Sequence, residues 1–100
     1  MPKRQIPLAV PGQILLQEFL KPLGVTQYRL AKEIGVPQRR IGGIVAGKRA
    51  ITADTAARLG VYFGIEAEFW LNLQTHYDLA RTRETLADNL AAIHPLAQAA

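Results

Sequence analysis

Residues 26–49 read TQYRLAKEIGVPQRRIGGIVAGKR. Gly35 divides the stretch into two short helical segments, 27–34 and one from about Pro37 to about Ala46. Thr26 reads as the N-cap of the first, because its hydroxyl can accept from a free first-turn amide. Leu30, Ala31 and Ile34 form the inward side of that helix. Gly35 stops it, as a residue that takes positive φ without steric penalty. Pro37 suits the first turn of the second helix, where its missing N–H is not needed. Two short helices crossing steeply need a small residue at the contact, and Ala31 provides it. Val36, Ile41 and Ile44 then fill the wedge between them. This spacing predicts a helix-turn-helix, whose second helix enters the major groove of DNA. The competing assignment is an ordinary helical hairpin within a bundle.

The second helix carries Gly42 and Gly43, each costing roughly 1 kcal/mol relative to alanine in a helix interior. With about 100° per residue, Ile41, Ile44 and Val45 mark the buried side, and Arg39, Gly42, Gly43 and Ala46 the opposite one. Two explanations stand. Bare backbone lets the helix sit deep against the bases, or these positions face solvent and tolerate small residues. Base readout then falls on few side chains, with Gln38 and Arg39 the best placed. Glutamine matches adenine and arginine matches guanine through paired hydrogen bonds. Arg40 points sideways toward phosphate. Thr26, Gln27, Lys48 and Arg49 are placed to touch backbone oxygens, which position a protein and make binding salt-sensitive without reading sequence.

Working outward, Ile14, Leu15, Leu16, Phe19 and Leu20 give a helix over 12–21 that Pro22 and Gly24 end. Thr52 caps a fourth helix, with Asp54 in its first turn where it favours the helix dipole. Residues 66–80 form a fifth helix rich in aromatics, and 82–93 a sixth segment with Leu86, Leu90 and Ile93 at helical spacing. Alternating apolar and polar residues never persist, so no strand competes. The expected fold is all-α, a repressor-like domain of five helices, or six with the last segment. Residues 1–10 form an arm, 11–80 the DNA-binding domain with its dimerisation helix, and 81–100 a helical extension ending in a frayed tail.

One hundred residues make one domain, and a chain so short leaves much apolar surface exposed unless it dimerises. Net charge is +4, unevenly spread. Residues 21–58 hold eight basic residues against Glu33 and Asp54, giving +6, and residues 59–100 hold two against five acids, giving −3. One surface for a polyanion and another for a different partner fits this division. The chain has no cysteine, which excludes disulfides and thiolate metal sites and suits a reducing, cytoplasmic setting. No apolar run is long enough to span a membrane. His76 and His94 have no carboxylate at ligand spacing, so no metal site is expected. No nucleophile, base and orienting group recur together and no phosphate loop occurs, so neither catalysis nor a cofactor is expected.

The segments PGQILLQEFLKPLGVTQYRLAKEIGVP, AGKRAITADTAARLGVYFG and EFWLNLQTHYDL resemble HigA-type antitoxins of bacterial toxin–antitoxin modules. Their helix-turn-helix is similar to that of the Cro-repressor class. The resemblance runs from about Pro11 to Leu79, and ITADTA-x-RL followed by FWLNLQ is its most specific part. It implies a homodimer on a palindromic operator in double-stranded DNA, and a cognate HigB-type messenger RNA nuclease toxin. It also implies base-reading positions at Gln38, Arg39 and Gly43, the last departing from the polar residue common there.

Phe69 and Leu73 are expected to pack on Leu59 and Phe63. Trp70 reads either as core with them or, together with Leu86 and Leu90, as a candidate for a dimer interface, where aromatics are enriched. The function that follows is a sequence-specific repressor of the antitoxin type; the alternatives are a protein-interaction module whose double glycine marks lost base readout, or a solitary transcriptional regulator with no toxin partner.

Overall fold

The computed structural model describes residues 8–97, so most of the expected N-terminal arm 1–10 and the end of the tail lie outside the described residues. Among the described residues every regular element is a helix. Helix α1 spans 11–23 as three continuous pieces: α-helical Pro11–Ile14, π-helical Leu15–Leu20 and a final turn Lys21–Leu23. Pro22 lies inside it rather than ending it. A proline ring presses on the carbonyl four residues back in a regular α-helix, and the wider winding of the preceding turn is the accommodation. Gly24, at φ +67°, ends the helix instead, and Val25 N–H bonds back to the Leu20 carbonyl at 2.9 Å.

Helix α2 is Gln27–Ile34, with Thr26 Oγ1 accepting from Arg29 N–H at 3.0 Å. Gly35 follows at φ +76°, and Val36 N–H returns to the Ala31 carbonyl at 3.0 Å. Helix α3 is Gln38–Val45, starting one residue later than expected because Pro37 is its extended N-cap. Helix α4 is Ala53–Phe63, capped by Thr52 as predicted. Helix α5, Ala67–Thr85, runs past the expected boundary at residue 80. The chain bends only at Leu86, leaving a short α6, Ala87–Ala91, in place of a helix over 82–93.

The core joins all five long helices. Leu15 and Leu20 of α1, Leu30 of α2, Ile41 and Ile44 of α3, Leu59 of α4 and Trp70 of α5 are almost wholly buried. Trp70 is 0% exposed, with the rings of Phe19, Phe69 and Phe63 at 4.8, 5.0 and 6.0 Å. This corrects the assignment of Trp70 to a dimer interface, since an enclosed ring has no face left for a second protomer. Phe69 instead lies at the rim, 38% exposed, against Phe19 and Trp70.

Helix α1 crosses α3 at backbone contact. A Cβ on Gly12 would lie 1.8 Å from the Ile44 carbonyl oxygen and 2.8 Å from Val45 Cα. Gln13 Nε2 donates to the Val45 carbonyl at 3.0 Å, satisfying an acceptor at the open end of α3. Tyr77, Asp78 and Arg81 of α5 line one hollow with Gly12 and Ile44, and beyond them α5 continues to Thr85 and carries α6. The radius of gyration is 16.9 Å, where a compact chain of this length has about 13 Å.

Candidate nucleic-acid interface

Burial of Ile41, Ile44 and Val45 fixes which way α3 faces. The opposite side presents Arg39, Gly42, Gly43 and Ala46, with Gln38 exposed at the helix start. Among the described residues neither Gln38 nor Arg39 has a hydrogen-bond or ion-pair partner in its side chain. Thr26 and Gln27 stand at the start of α2, and Gln27 Oε1 is 3.8 Å from where a Gly42 Cβ would be. The amide starts of α2 and the outward side of α3 therefore adjoin.

Arg40 is occupied. Its Nη1 donates to Asp54 Oδ2 at 2.5 Å, and Arg58 Nε donates to the same oxygen at 3.0 Å. Arg58 Nη1 also donates to the Ile34 carbonyl at 2.7 Å, at the end of α2. Two side chains of α4 thus tie it to both helices of the turn. Tyr62 of α4 adds a hydroxyl bond to Glu33, which also accepts from Arg29 Nε at 3.2 Å. The Tyr62 bond, then Arg29, hold the Glu33 carboxyl below its ordinary value, and the same bond raises the Tyr62 hydroxyl.

Arg40 first, then Arg58, likewise hold the Asp54 carboxyl below its ordinary range. A depressed carboxyl contributes stability that is present above its unfolded value and lost as pH falls through the folded one. Asp54→Asn is therefore expected to lower the melting temperature slightly at neutral pH. The gap between the wild-type and variant melts should begin to narrow near about pH 4, the unfolded aspartate value, and close only below the lower, folded one. Thermal melts by circular dichroism between neutral and acid pH check this; a constant gap at all pH would show that the charge of Asp54 contributes nothing.

The loop after α3 is pinned at both ends. Lys48 N–H and Arg49 N–H both donate to the Gly43 carbonyl, at 2.8 and 3.1 Å. Ile51 N–H donates to Gln74 Oε1 at 2.8 Å, and Gln74 Nε2 donates to Asp78 Oδ1 at 2.9 Å. Asp78 thereby orients the buried Gln74. Gly43 does not face open space: a Cβ there would lie 2.7 and 2.8 Å from Cδ and Cγ of Arg49. Lys48 and Arg49 are exposed. Leu86 and Leu90, 39% and 41% exposed, are on the projecting arm, far along the chain from α3. No group of acids and histidines able to hold a metal occurs among the described residues.

A helix-turn-helix family model matches residues 16–70, more than half of the chain. Antitoxin HigA-1 of Vibrio cholerae is 36% identical over 85% of this chain and 80% of its own length. The chain belongs to the HigA-type family of helix-turn-helix antitoxins. Virulence-associated protein I of Dichelobacter nodosus is 52% identical over 77% of this chain and 71% of its own. Among solved structures, the antitoxin HigA of Pseudomonas aeruginosa with the higBA promoter superposes with a TM-score of 0.87 at 37% identity. That superposition covers 91% of this chain and all of the other.

Within this HigA-type frame, several supporting residues had little sequence signal. Asp54 and Arg58, like Gln74 and Asp78, are four apart on one helix, a spacing that brings side chains together. That spacing reveals each pair but not the third partner, Ile34 or Ile51. Gln13 reaching Val45, thirty-two residues away, had no signal at all. No described helix is long and apolar enough to cross a membrane.

Proposed function

We propose that this protein is a dimeric repressor that occupies a palindromic operator near its own gene and pairs with a HigB-type toxin. The carrying observation is the outward side of α3. Gln38 and Arg39 stand there without a side-chain partner among the described residues, in a fold that a HigA solved with promoter DNA shares at a TM-score of 0.87. In this reading Gln38 and Arg39 meet base edges, and Gly43 contributes no side chain of its own. Thr26, Gln27 and Lys48 meet phosphates. Arg40 reaches a phosphate only by leaving Asp54, so its first role is to hold α3 on α4.

An operator with half-sites about 34 Å apart needs two protomers at fixed spacing. Leu86 and Leu90 on the arm supply apolar surface for that contact. Toxin neutralisation rests on the family, with the N-terminal residues 1–10 and the acidic second half as the two candidate regions for toxin contact, the latter by attraction of a basic nuclease. The protein acts without a cofactor, by occupying the promoter in the cytoplasm.

The test is a titration against DNA from upstream of its own gene, beside scrambled DNA of equal length, at two salt concentrations. Tight binding to the upstream DNA alone, with two protomers per site, is the expected result. Equal, weak binding to both that vanishes with salt would leave only electrostatic attraction and favour a protein-interaction module. Arg39→Ala is expected to cost about 1–3 kcal/mol and to relax preference at one base pair; an equal loss on every sequence would make Arg39 a phosphate contact. Replacing Leu86 and Leu90 together with glutamate is expected to give a monomer of unchanged helicity that binds the operator weakly. A dimer persisting in sedimentation would place the interface elsewhere.

A further inference from the structure

We infer that Arg49, from the loop after α3, reads a base pair through the vacancy that Gly43 leaves on the recognition helix. The inference rests on the operator-binding reading above.

Gly43 lies on the side of α3 opposite Ile41, Ile44 and Val45, the same side as Arg39. A side chain there would project toward the groove floor. None exists, yet the space is filled. Cδ, Cγ and Cβ of Arg49 lie 2.7, 2.8 and 3.5 Å from the place of a Gly43 Cβ. The aliphatic stem of Arg49 thus runs where the stem of a residue-43 side chain would run.

Three features make this a held geometry rather than a resting place for a surface arginine. The Arg49 amide is bonded to the carbonyl of Gly43 itself, and Lys48 shares that acceptor. Two residues on, the Ile51 amide is bonded to buried Gln74. The stem lies on bare backbone, which restricts its rotamers. The guanidinium, by contrast, has no hydrogen-bond or ion-pair partner among the described residues, unlike those of Arg40 and Arg58. A planar fork with no partner among the described residues, on a stem laid along Gly43, matches O6 and N7 of guanine in the major groove. The two glycines also acquire separate reasons. Gly43 makes room for Arg49, and Gly42 leaves open surface beside Gln27.

The experiment measures binding of wild type, Arg49→Ala, Arg49→Lys, Gly43→Ala and the double variant to a series of operators. Each operator carries one substituted base pair within a half-site located by footprinting. Melting curves confirm that each variant is folded. Arg49→Ala is expected to lose discrimination of about ten- to a hundredfold at one base pair and to keep it elsewhere. Arg49→Lys keeps the charge but not the fork, so it should lose the same preference with an unchanged salt slope. Gly43→Ala leaves Arg49 in place but displaces its stem, so it should lose preference at that same base pair. The double variant should be no worse than Arg49→Ala, because both changes act on one contact.

Uniform weakening of Arg49→Ala on all operators, with a salt slope lower by about one, would overturn the inference and make Arg49 a phosphate contact. Unchanged preference in Gly43→Ala would also overturn it. Should the wild type itself fail to distinguish operator from scrambled DNA, the operator-binding reading falls and this inference with it. Preference kept by both wild type and Arg49→Ala removes the inference alone.

Discussion

Gly12→Ala is expected to lose more than about 3 kcal/mol of stability, beyond the usual range for an overpacked site. The added methyl would meet the Ile44 carbonyl oxygen at 1.8 Å and the Ile44 carbonyl carbon at 2.5 Å. Both are backbone atoms of α3, so no rotamer change relieves the contact. The helices must part, and Gln13 then loses the Val45 carbonyl it holds at 3.0 Å. Small domains have roughly 5–15 kcal/mol in total, so a loss of this size takes a large share. Urea unfolding followed by circular dichroism measures it. A shift smaller than about 1 kcal/mol would mean that α1 slides over α3 at little cost, contrary to how tightly their cores interlock. Operator affinity should fall with stability, because the displaced helix is the one carrying Gln38 and Arg39.

Trp70→Ala is expected to cost about 3–5 kcal/mol, the range for removing a large aromatic side chain from a core. The ring is the largest fully buried side chain and touches three phenylalanines from three helices. Its removal leaves a cavity that Phe19, Phe63 and Phe69 cannot all close, being anchored on α1, α4 and α5. Trp70→Phe makes the informative control. Trp70 Nε1 is buried without a hydrogen-bond partner among the described residues, and an unmet buried donor is itself destabilising by about 1–3 kcal/mol. Phenylalanine removes that donor and keeps one ring, so its loss should be well below that of alanine. Equal losses in the two variants would show that the retained ring contributes nothing and that only the whole indole holds the three phenylalanines together. A protein of unchanged stability but altered oligomeric state would return Trp70 to an interface.

The helix-turn-helix was legible because its determinants are local. Thr26, Ala31, Gly35 and Val36 each satisfy a steric or hydrogen-bonding need within a few residues, and all four do in the structure what their spacing predicts. The N-caps at Thr26 and Thr52 were legible for the same reason. What the sequence concealed depends on contacts from afar. Pro22 looked like a helix end because a proline forbids regular α winding, but not a π turn ahead of it. Trp70 stood open between core and interface because an aromatic-rich helix has no inner or outer side until α1 and α4 are packed on it. The double glycine was ambiguous because its reason is carried partly by Arg49, six residues beyond Gly43. Leu86 and Leu90 were placed by helical period on a longer sixth helix, and the bend at Leu86 transferred the preceding turn to α5.

The bond between Ile51 and Gln74 has one further consequence. It is a neutral contact, and Gln74 is buried. Ionic screening acts mainly on exposed charges and little on such a bond. The loop bearing Lys48 and Arg49 therefore keeps its shape at salt concentrations that detach the protein from a polyanion. Ionic strength then works as a release control that does not deform the reader, and a protein eluted from DNA by salt is ready to rebind as soon as the salt is removed.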